Sequence, residues 1–221
     1  YAVRDLIASK WSGKAKEGLA SDPTYRRYAV SFVENHDTEY RSSSEQQDPI
    51  RQDTLAANAY ILASCGTPCV FYKHWLAYPT DIKMMINARH AAGIANTSNT
   101  TFNEYTGSQC NVLKTEGSHG TLYAVMGANA DAYKAPAGFT EILRGHNYRY
   151  LLSNSSNVAW VDLPSGHYDN VQKARLTAVS NQQGAQLVYT TDGTLPTAQS
   201  RKAASGTLID IPTGTTTLNV G

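Results

Sequence analysis

The chain has 221 residues, 41% of them hydrophobic and 17% charged, which is enough to bury one large domain or a few small ones. Its formal net charge is +1 and its Lys and Arg residues are scattered, so the composition excludes the basic surface typical of nucleic-acid-binding proteins. No apolar run approaches the roughly 20 residues that a membrane-spanning helix needs, so no transmembrane segment is predicted.

The first part of the sequence alternates helical and strand-like segments. The predicted elements, in chain order, are a helix over 3–11, a strand over 28–33, a helix over 54–64, a strand over 69–72 and a helix over 79–93. Asp53 stands where an N-cap residue is expected, directly before the second helix. Helices that alternate with short buried strands are typical of parallel α/β units.

From about residue 94 the pattern changes to short strands separated by turn residues. Strands are predicted over 110–114, 121–126, 139–143, 148–152 and 158–163, and then over 174–179, 186–190 and 207–211. This pattern predicts an antiparallel β domain followed by a second β segment. A helical pattern opens the sequence and a strand-like run, 217–220, ends it, so we expect both ends to lie inside a longer protein.

The three cysteines do not form a recognisable disulfide or metal pattern. Cys65 and Cys69 have a C-x-x-x-C spacing and Cys110 stands alone, which fits neither a disulfide framework nor a standard zinc site. We expect Cys65 and Cys69 to be small buried thiols, because free cysteine is usually buried. The sequence gives no candidate metal ligands.

The segment richest in functional side chains follows the first predicted strand. That strand runs directly into Glu34, Asn35, His36 and Asp37, and burying such groups unpaired would cost several kcal/mol. Active sites of parallel barrels lie at the C-terminal ends of the strands. On the residues alone, a solvated loop in which Asp37 caps the next element is an equally simple interpretation.

Two segments resemble motifs of the alpha-amylase family of glycoside hydrolases. The run 32–38 resembles the strand-seven motif, a hydrophobic strand that ends in Asn-His-Asp, and 66–72 resembles the strand-eight segment, a Gly-x-Pro turn before an aromatic-rich strand. The residues that follow, Lys73, His74 and Trp75, depart from the common Gly-Asp-Glu ending and are nearer the Asp-His-Phe form of plant-type amylases. The roles of Lys73 and His74 therefore stay open.

The resemblance implies an α/β plus all-β fold. Residues 1–93 would form the C-terminal part of a (β/α)8 TIM barrel, 94–163 a Greek-key β-sandwich domain and 164–221 a small β module. Residues 188–197 are similar to the Tyr-Thr-Thr-Asp-Gly-x-x-Pro-Thr signature of a module appended to chitobiases, in which Asp-Gly supplies a hairpin turn. Both a glycan-binding role and a purely structural role are open for this module.

The resemblance also implies an activity, namely endo-hydrolysis of α-1,4-glucosidic bonds in starch or glycogen with retention of configuration, by the full-length protein. Asp37 would be the carboxylate that stabilises the oxocarbenium-like transition state, and His36 would hydrogen-bond the same sugar. Tyr40 and Arg41 could line the substrate groove or an ordinary exposed loop. Trp75 could stack on sugar or pack against the last helix.

The other two carboxylates of a retaining glycosidase, an Asp nucleophile and a Glu acid/base, are not found before the motif. Asp5, Glu17 and Asp22 precede it, and none ends a strand-like run. We therefore expect this chain to be inactive alone. The alternatives are a non-catalytic glycan-binding or structural module, and a related α-glucosidase or transglycosidase.

The family resemblance carries further expectations. It implies an α-glucan as the partner molecule, a secreted, periplasmic or cell-surface location, and calcium bound by parts of the full-length protein outside this sequence. No calcium ligand is assigned to these residues. Because a partial barrel exposes strand edges, non-native association through those edges is also expected.

Overall fold

The structure is mostly β-sheet, and the computed structural model describes residues 2–16, 18–44, 49–50, 52–214 and 216–221. The helices are α1 (Ala2–Ala8), α2 (Thr54–Ala63), α3 (Tyr72–Ala77) and α4 (Pro79–Ala92). The strands are β1 (Val30–Phe32), β2 (Thr67–Cys69), β3 (Asn99–Gly107), β4 (Cys110–Glu116), β5 (Thr121–Met126), β6 (Phe139–Gly145), β7 (Tyr148–Ser153), β8 (Val158–Val161), β9 (Gln172–Val179), β10 (Leu187–Thr190), β11 (Arg201–Ala203), β12 (Leu208–Ile211) and β13 (Asn219–Val220).

The main core lies between two helices and a five-stranded antiparallel sheet. The order of that sheet is β3-β4-β5-β7-β6, and α2 and α4 pack against one of its faces. Every residue of α2 from Ala56 to Ala63 is buried, because its small side chains let the helix approach both neighbours closely. The hydroxyl of Tyr150 on β7 donates a hydrogen bond of 2.5 Å to the Ala59 carbonyl, which ties the sheet to the helix.

The opposite face of this sheet has its own apolar cluster. The segment between β5 and β6 crosses it, and Tyr133 and Phe139 pack there against Tyr123. Residues 94–153 therefore form one sheet, whereas the sequence predicted a sandwich of two. The second layer is replaced by α2 and α4 on one side and by a loop on the other, which is how both faces can be apolar.

The C-terminal part contains two small sheets. Their orders are β12-β9-β8 and β11-β10-β13, and all pairings are antiparallel. Strand β8, which the prediction placed in the middle domain, pairs with β9 of the third, so this sheet crosses residue 163. The predicted turn at Asp192 and Gly193 is present, but it lies within the longer connection 191–200 between the antiparallel strands β10 and β11 and does not join them directly.

Some local predictions also fail for identifiable reasons. Strand β2 lies two residues earlier than predicted, because its register with β1 starts at Thr67 and the chain enters α3 at Tyr72. Cys69 is exposed, since it lies opposite Phe32 on the open face of this two-stranded sheet, whereas Cys65 is buried as predicted.

Asp53 does occupy the N-cap position of α2, but its side chain makes no capping bond. Its backbone is left-handed, and its carboxylate instead accepts hydrogen bonds from Trp11 Nε1 at 3.1 Å and Asn147 Nδ2 at 2.6 Å. The residue therefore joins the segment after α1, the start of α2 and the turn between β6 and β7.

A buried arginine connects α4 to the end of α2. Arg89 donates hydrogen bonds to the carbonyls of Leu62 at 3.0 Å, Ser64 at 2.5 Å and Gly66 at 2.9 Å. Carbonyls at a helix C-terminus lack intrahelical partners and carry partial negative charge, so a guanidinium is a fitting partner. Burial lowers the pKa of Arg89 from its ordinary value. This contact fixes the position from which β2 begins.

Within the described part of the chain the longest helix has 14 residues, and no helix combines the length and apolar composition of a membrane span.

Replacing Arg89 with Ala should lower the free energy of unfolding by about 3 kcal/mol, because three buried carbonyls lose their donor. Urea denaturation measures the change. The matched control is Lys16→Ala, whose side chain is 76% exposed and pairs with Asp5, and we expect it to change stability by less than about 0.5 kcal/mol. Equal effects of the two substitutions would contradict this role for Arg89.

Candidate functional site

The candidate site lies where two parallel strands end. Strand β1 pairs with β2 in parallel, with Val30 opposite Thr67 and Phe32 opposite Cys69. The carboxyl ends of the two strands therefore meet at the same edge, and the segments that follow them lie side by side. One is the polar loop after β1, and the other leads into α3. The sequence predicted both segments, and the structure brings them together.

His36 and Asp37 are exposed at the tip of this loop. Their side chains are 80% and 69% exposed, and His36 Nε2 lies 3.4 Å from Asp37 Oδ1. A carboxylate and an imidazole side by side at the surface offer an acceptor and a donor to a hydroxylated ligand. The structure thus leaves both predicted residues accessible, and their predicted roles remain predictions.

Asn35 gives the loop its shape. Its Oδ1 accepts hydrogen bonds from the backbone N–H of Asp37 at 2.9 Å and of Thr38 at 3.2 Å, which forms an Asx-turn. The Thr38 hydroxyl in turn accepts from the backbone N–H of Asn35 at 3.1 Å. These reciprocal bonds fix the backbone on both sides of Asp37, so the side chain projects from an ordered turn.

Glu34 anchors the start of the loop beneath the surface. It is buried, and its carboxylate accepts from the backbone N–H of Ile50 at 2.8 Å and contacts Nε2 of His74 at 3.1 Å. His74 lies on α3 and is also buried. The sequence assigned Glu34 no role of its own and left the role of His74 open. The structure shows that the two residues join the ends of β1 and β2.

A third buried residue determines which His74 nitrogen carries the proton. The Asn58 amide Nδ2 donates to the Thr54 carbonyl at 2.8 Å and lies 3.2 Å from His74 Nδ1. Because an amide nitrogen only donates, Nδ1 must accept, and the proton is on Nε2, facing Glu34. Burial lowers the pKa of His74 below its ordinary value, although the neighbouring Glu34 carboxylate acts in the opposite direction. His74 is therefore neutral near neutral pH.

A second pair of residues holds the far end of the loop. Lys73, the neighbour of His74 on α3, forms an ion pair with Glu39, whose side chain is 14% exposed. Two consecutive residues of α3 thus bind the two acidic residues that flank the Asn-His-Asp run. The sequence shows two acidic residues five positions apart. Their partners on α3 can be identified only from the parallel pairing of β1 with β2.

The remaining predicted substrate-binding residues are Tyr40, Arg41 and Trp75. Tyr40 is 55% exposed and Arg41 is exposed, directly after the anchored loop, and both take part in interactions of their own. Trp75 is half-buried against the main core, and Lys83 Nζ lies 5.7 Å from the centre of its ring. Packing against α4, one of the two alternatives for Trp75, is therefore observed, and its contact with sugar stays a prediction.

Among the described residues, no group of three or more His, Cys, Asp or Glu side chains is arranged to hold a metal ion.

Comparison with known proteins adds two findings. Residues 163–220 match the chitobiase/beta-hexosaminidase C-terminal domain. The chain is also similar to the glucan 1,4-alpha-maltotetraohydrolases of Stutzerimonas stutzeri and Roseateles saccharophilus, at 36% identity over 160 residues in each case. This alignment covers 66% of the chain and 28% of either relative, so the chain spans less than a third of their length.

A third relative comes from a plant. The alpha-amylase type B isozyme of Hordeum vulgare is 37% identical over 73 residues, which covers 32% of the chain and 46% of that protein. These matches confirm both resemblances that the sequence motifs indicated.

Protonation of His74 should destabilise the fold. Because its pKa in the folded state lies below the value of about 6.5 in the unfolded chain, the unfolded chain takes up the proton first. Stability is therefore lost as the pH falls from about 6.5 through the folded-state pKa. The variant His74→Gln keeps one donor for Glu34 and one acceptor for Asn58 without titrating.

Urea denaturation of both proteins across this pH range isolates the contribution of His74. We expect the wild type to lose more stability than His74→Gln as the pH falls. Parallel curves for the two proteins, or an NMR titration that places the His74 pKa at or above 6.5, would show that the imidazole is not held neutral.

Proposed function

We propose that this chain, whose relatives are alpha-amylase-type glucan hydrolases, supplies the transition-state-stabilising carboxylate, Asp37, of an endo-acting α-1,4-glucan hydrolase that retains configuration. The names of the relatives support a glucan substrate. The observation that carries the proposal is the parallel pairing of β1 and β2, with Asp37 exposed at the end where both strands finish. Parallel barrels build their active sites at this end.

We propose further that β1 and β2 are strands seven and eight of a (β/α)8 barrel in the full-length protein. Val30 and Phe32 are 63% and 45% exposed on the open face of this sheet, where Cys69 is exposed as well. Apolar side chains on one face of a strand pair are expected to pack against something in the mature fold. The barrel interior would cover this face, and the neighbouring barrel strands would pair with its edges.

Asp37 would act through its charge. The transition state of glycoside cleavage resembles an oxocarbenium ion, and a nearby carboxylate stabilises this developing positive charge. The exposed imidazole of His36 would hydrogen-bond the same sugar, and Tyr40, Arg41 and Trp75 would form the surrounding groove. The anchored loop supports this role, because a group that acts electrostatically must be held in position before the reaction.

The nucleophile and the acid/base would come from residues outside this sequence. A retaining enzyme needs them about 5–5.5 Å apart, on strands that precede the Asn-His-Asp motif in the family. Calcium would likewise be bound elsewhere in the full-length protein. A polymeric substrate such as starch favours a secreted, periplasmic or cell-surface location.

The 221-residue chain alone should release no reducing sugar from soluble starch above the blank, because the proposal places the pair of carboxylates that breaks the bond outside it. A reducing-sugar assay on folded protein, checked by circular dichroism, measures this. Hydrolysis that disappears in Asp37→Ala would contradict the proposed division of the active site.

In the full-length protein, Asp37→Asn should lower kcat by about 10²- to 10³-fold, because it removes the charge and keeps the shape. The matched control is Asp131→Asn, since the Asp131 side chain is 72% exposed against 69% for Asp37 and lies in the β domain. Steady-state kinetics on maltoheptaose measures both variants, and we expect the control to keep wild-type kcat. An Asp37→Asn enzyme that retains kcat within about twofold would overturn the proposal.

A further inference from the structure

A cleft of about 1120 Å³ lies between α4 and the C-terminal part of the chain. One wall is the end of α4, where Asn87, His90 and Ala91 face the cleft. The opposite walls are β8, the loop over 163–170 and the segments 211–214 and 216–219. A cleft of this size has room for a ligand of several sugar units, and it has no part in the proposed chemistry at Asp37.

The cleft lies at the other end of the α/β unit from Asp37. Helix α4 returns antiparallel to the strands, and Arg89 near its end binds the carbonyl of Gly66, the residue directly before β2. The end of α4 is therefore beside the start of β2, whereas Asp37 follows the end of β1. Two ligands at these places would not compete for the same residues.

The lining is aromatic and polar but almost without charge. Trp160 and Tyr168 contribute rings, and amide, imidazole and hydroxyl groups surround them. Of the described residues that line the cleft, Asp169 alone is an acid and none is Lys or Arg. An anionic ligand such as a phosphate or nucleic acid would lack a cation to bind. Rings beside neutral donors and acceptors suit a hydroxylated, uncharged ligand.

Trp160 provides a second, independent observation. The residue is 4% exposed, and its Nε1–H is buried without a hydrogen-bond partner among the described residues. A buried donor without an acceptor costs about 1–3 kcal/mol, so such groups usually have a partner. A hydroxyl oxygen of a ligand in the cleft would provide the missing acceptor.

The loop wall is already held in place. Lys83 of α4 donates to the Ser165 carbonyl at 3.0 Å, and the Tyr168 hydroxyl donates to the Pro164 carbonyl at 2.6 Å. The loop is therefore tied both to the helix opposite and to itself. A wall fixed before binding avoids the entropic cost of ordering it around a ligand.

We propose that this cleft is a binding site for a neutral oligosaccharide, separate from the site at Asp37. Tyr168 provides the apolar surface for a sugar ring, the indole N–H of Trp160 donates to a sugar hydroxyl, and Asn87 and His90 hydrogen-bond further hydroxyls from α4. Two sources share this chemistry, an α-1,4-linked glucan and a β-1,4-linked N-acetylglucosamine oligomer.

The test is isothermal titration of the 221-residue chain with maltohexaose and, separately, with chitohexaose. The variants are Tyr168→Ala and the double substitution Asn87→Ala with His90→Ala, which changes two exposed helix positions and should leave the fold intact. Tyr105→Ala is the matched aromatic control, because Tyr105 is 46% exposed on β3 and does not line the cleft. Asp37→Ala controls for binding at the other site.

We expect one of the two sugars to bind, and its Kd to rise at least about tenfold in both cleft variants and to stay unchanged in Tyr105→Ala and Asp37→Ala. The sugar that binds identifies the source. No heat from either sugar at millimolar concentration would overturn the proposal. Binding that is lost in Asp37→Ala and kept in the cleft variants would also overturn it, while supporting the proposed function.

Discussion

The contact between the buried side chains of Glu34 and His74 is the interaction on which the candidate site depends. It joins the segment after β1 to the helix after β2, and it exists only because the two strands are parallel and in register. Asn58 holds His74 in the tautomer that donates to Glu34. A buried polar group without a partner is costly, so each of these three hydrogen-bonded residues fixes the position of the others. The exposed loop with Asp37 starts from this fixed point.

Within the loop after β1, anchored and exposed side chains lie only a few positions apart. Glu34 and Glu39 are bound by neighbouring residues of α3, while His36 and Asp37, which lie between them, are exposed. An electrostatic role in catalysis needs a side chain that is both accessible and fixed, and this arrangement provides both. Helix α4 has a comparable double role, because Arg89 fixes the start of β2 and the helix end forms a wall of the oligosaccharide cleft.

Much of the fold could be predicted from the sequence because it depends on local patterns. The strand β5 has the predicted bounds, and α4 ends at Ala92, directly before Gly93, whose left-handed backbone suits glycine. The edge strand β3 was missed because it is mostly polar and contains a bulge at Asn103. Contacts between residues far apart in the sequence could not be predicted, because sequence patterns report only local structure. The ion pair of Lys73 with Glu39 and the cleft are both of this kind.

The central claim is that the loop after β1 presents Asp37 to a glucan. A crystal structure of the full-length protein with a bound maltooligosaccharide tests it most directly. The account predicts that a carboxylate oxygen of Asp37 lies within about 2.6–3.2 Å of a sugar hydroxyl, while Glu34 and His74 keep their contact beneath. A sugar bound in the catalytic groove with Asp37 turned away from it, or a broken contact between Glu34 and His74, would contradict the account.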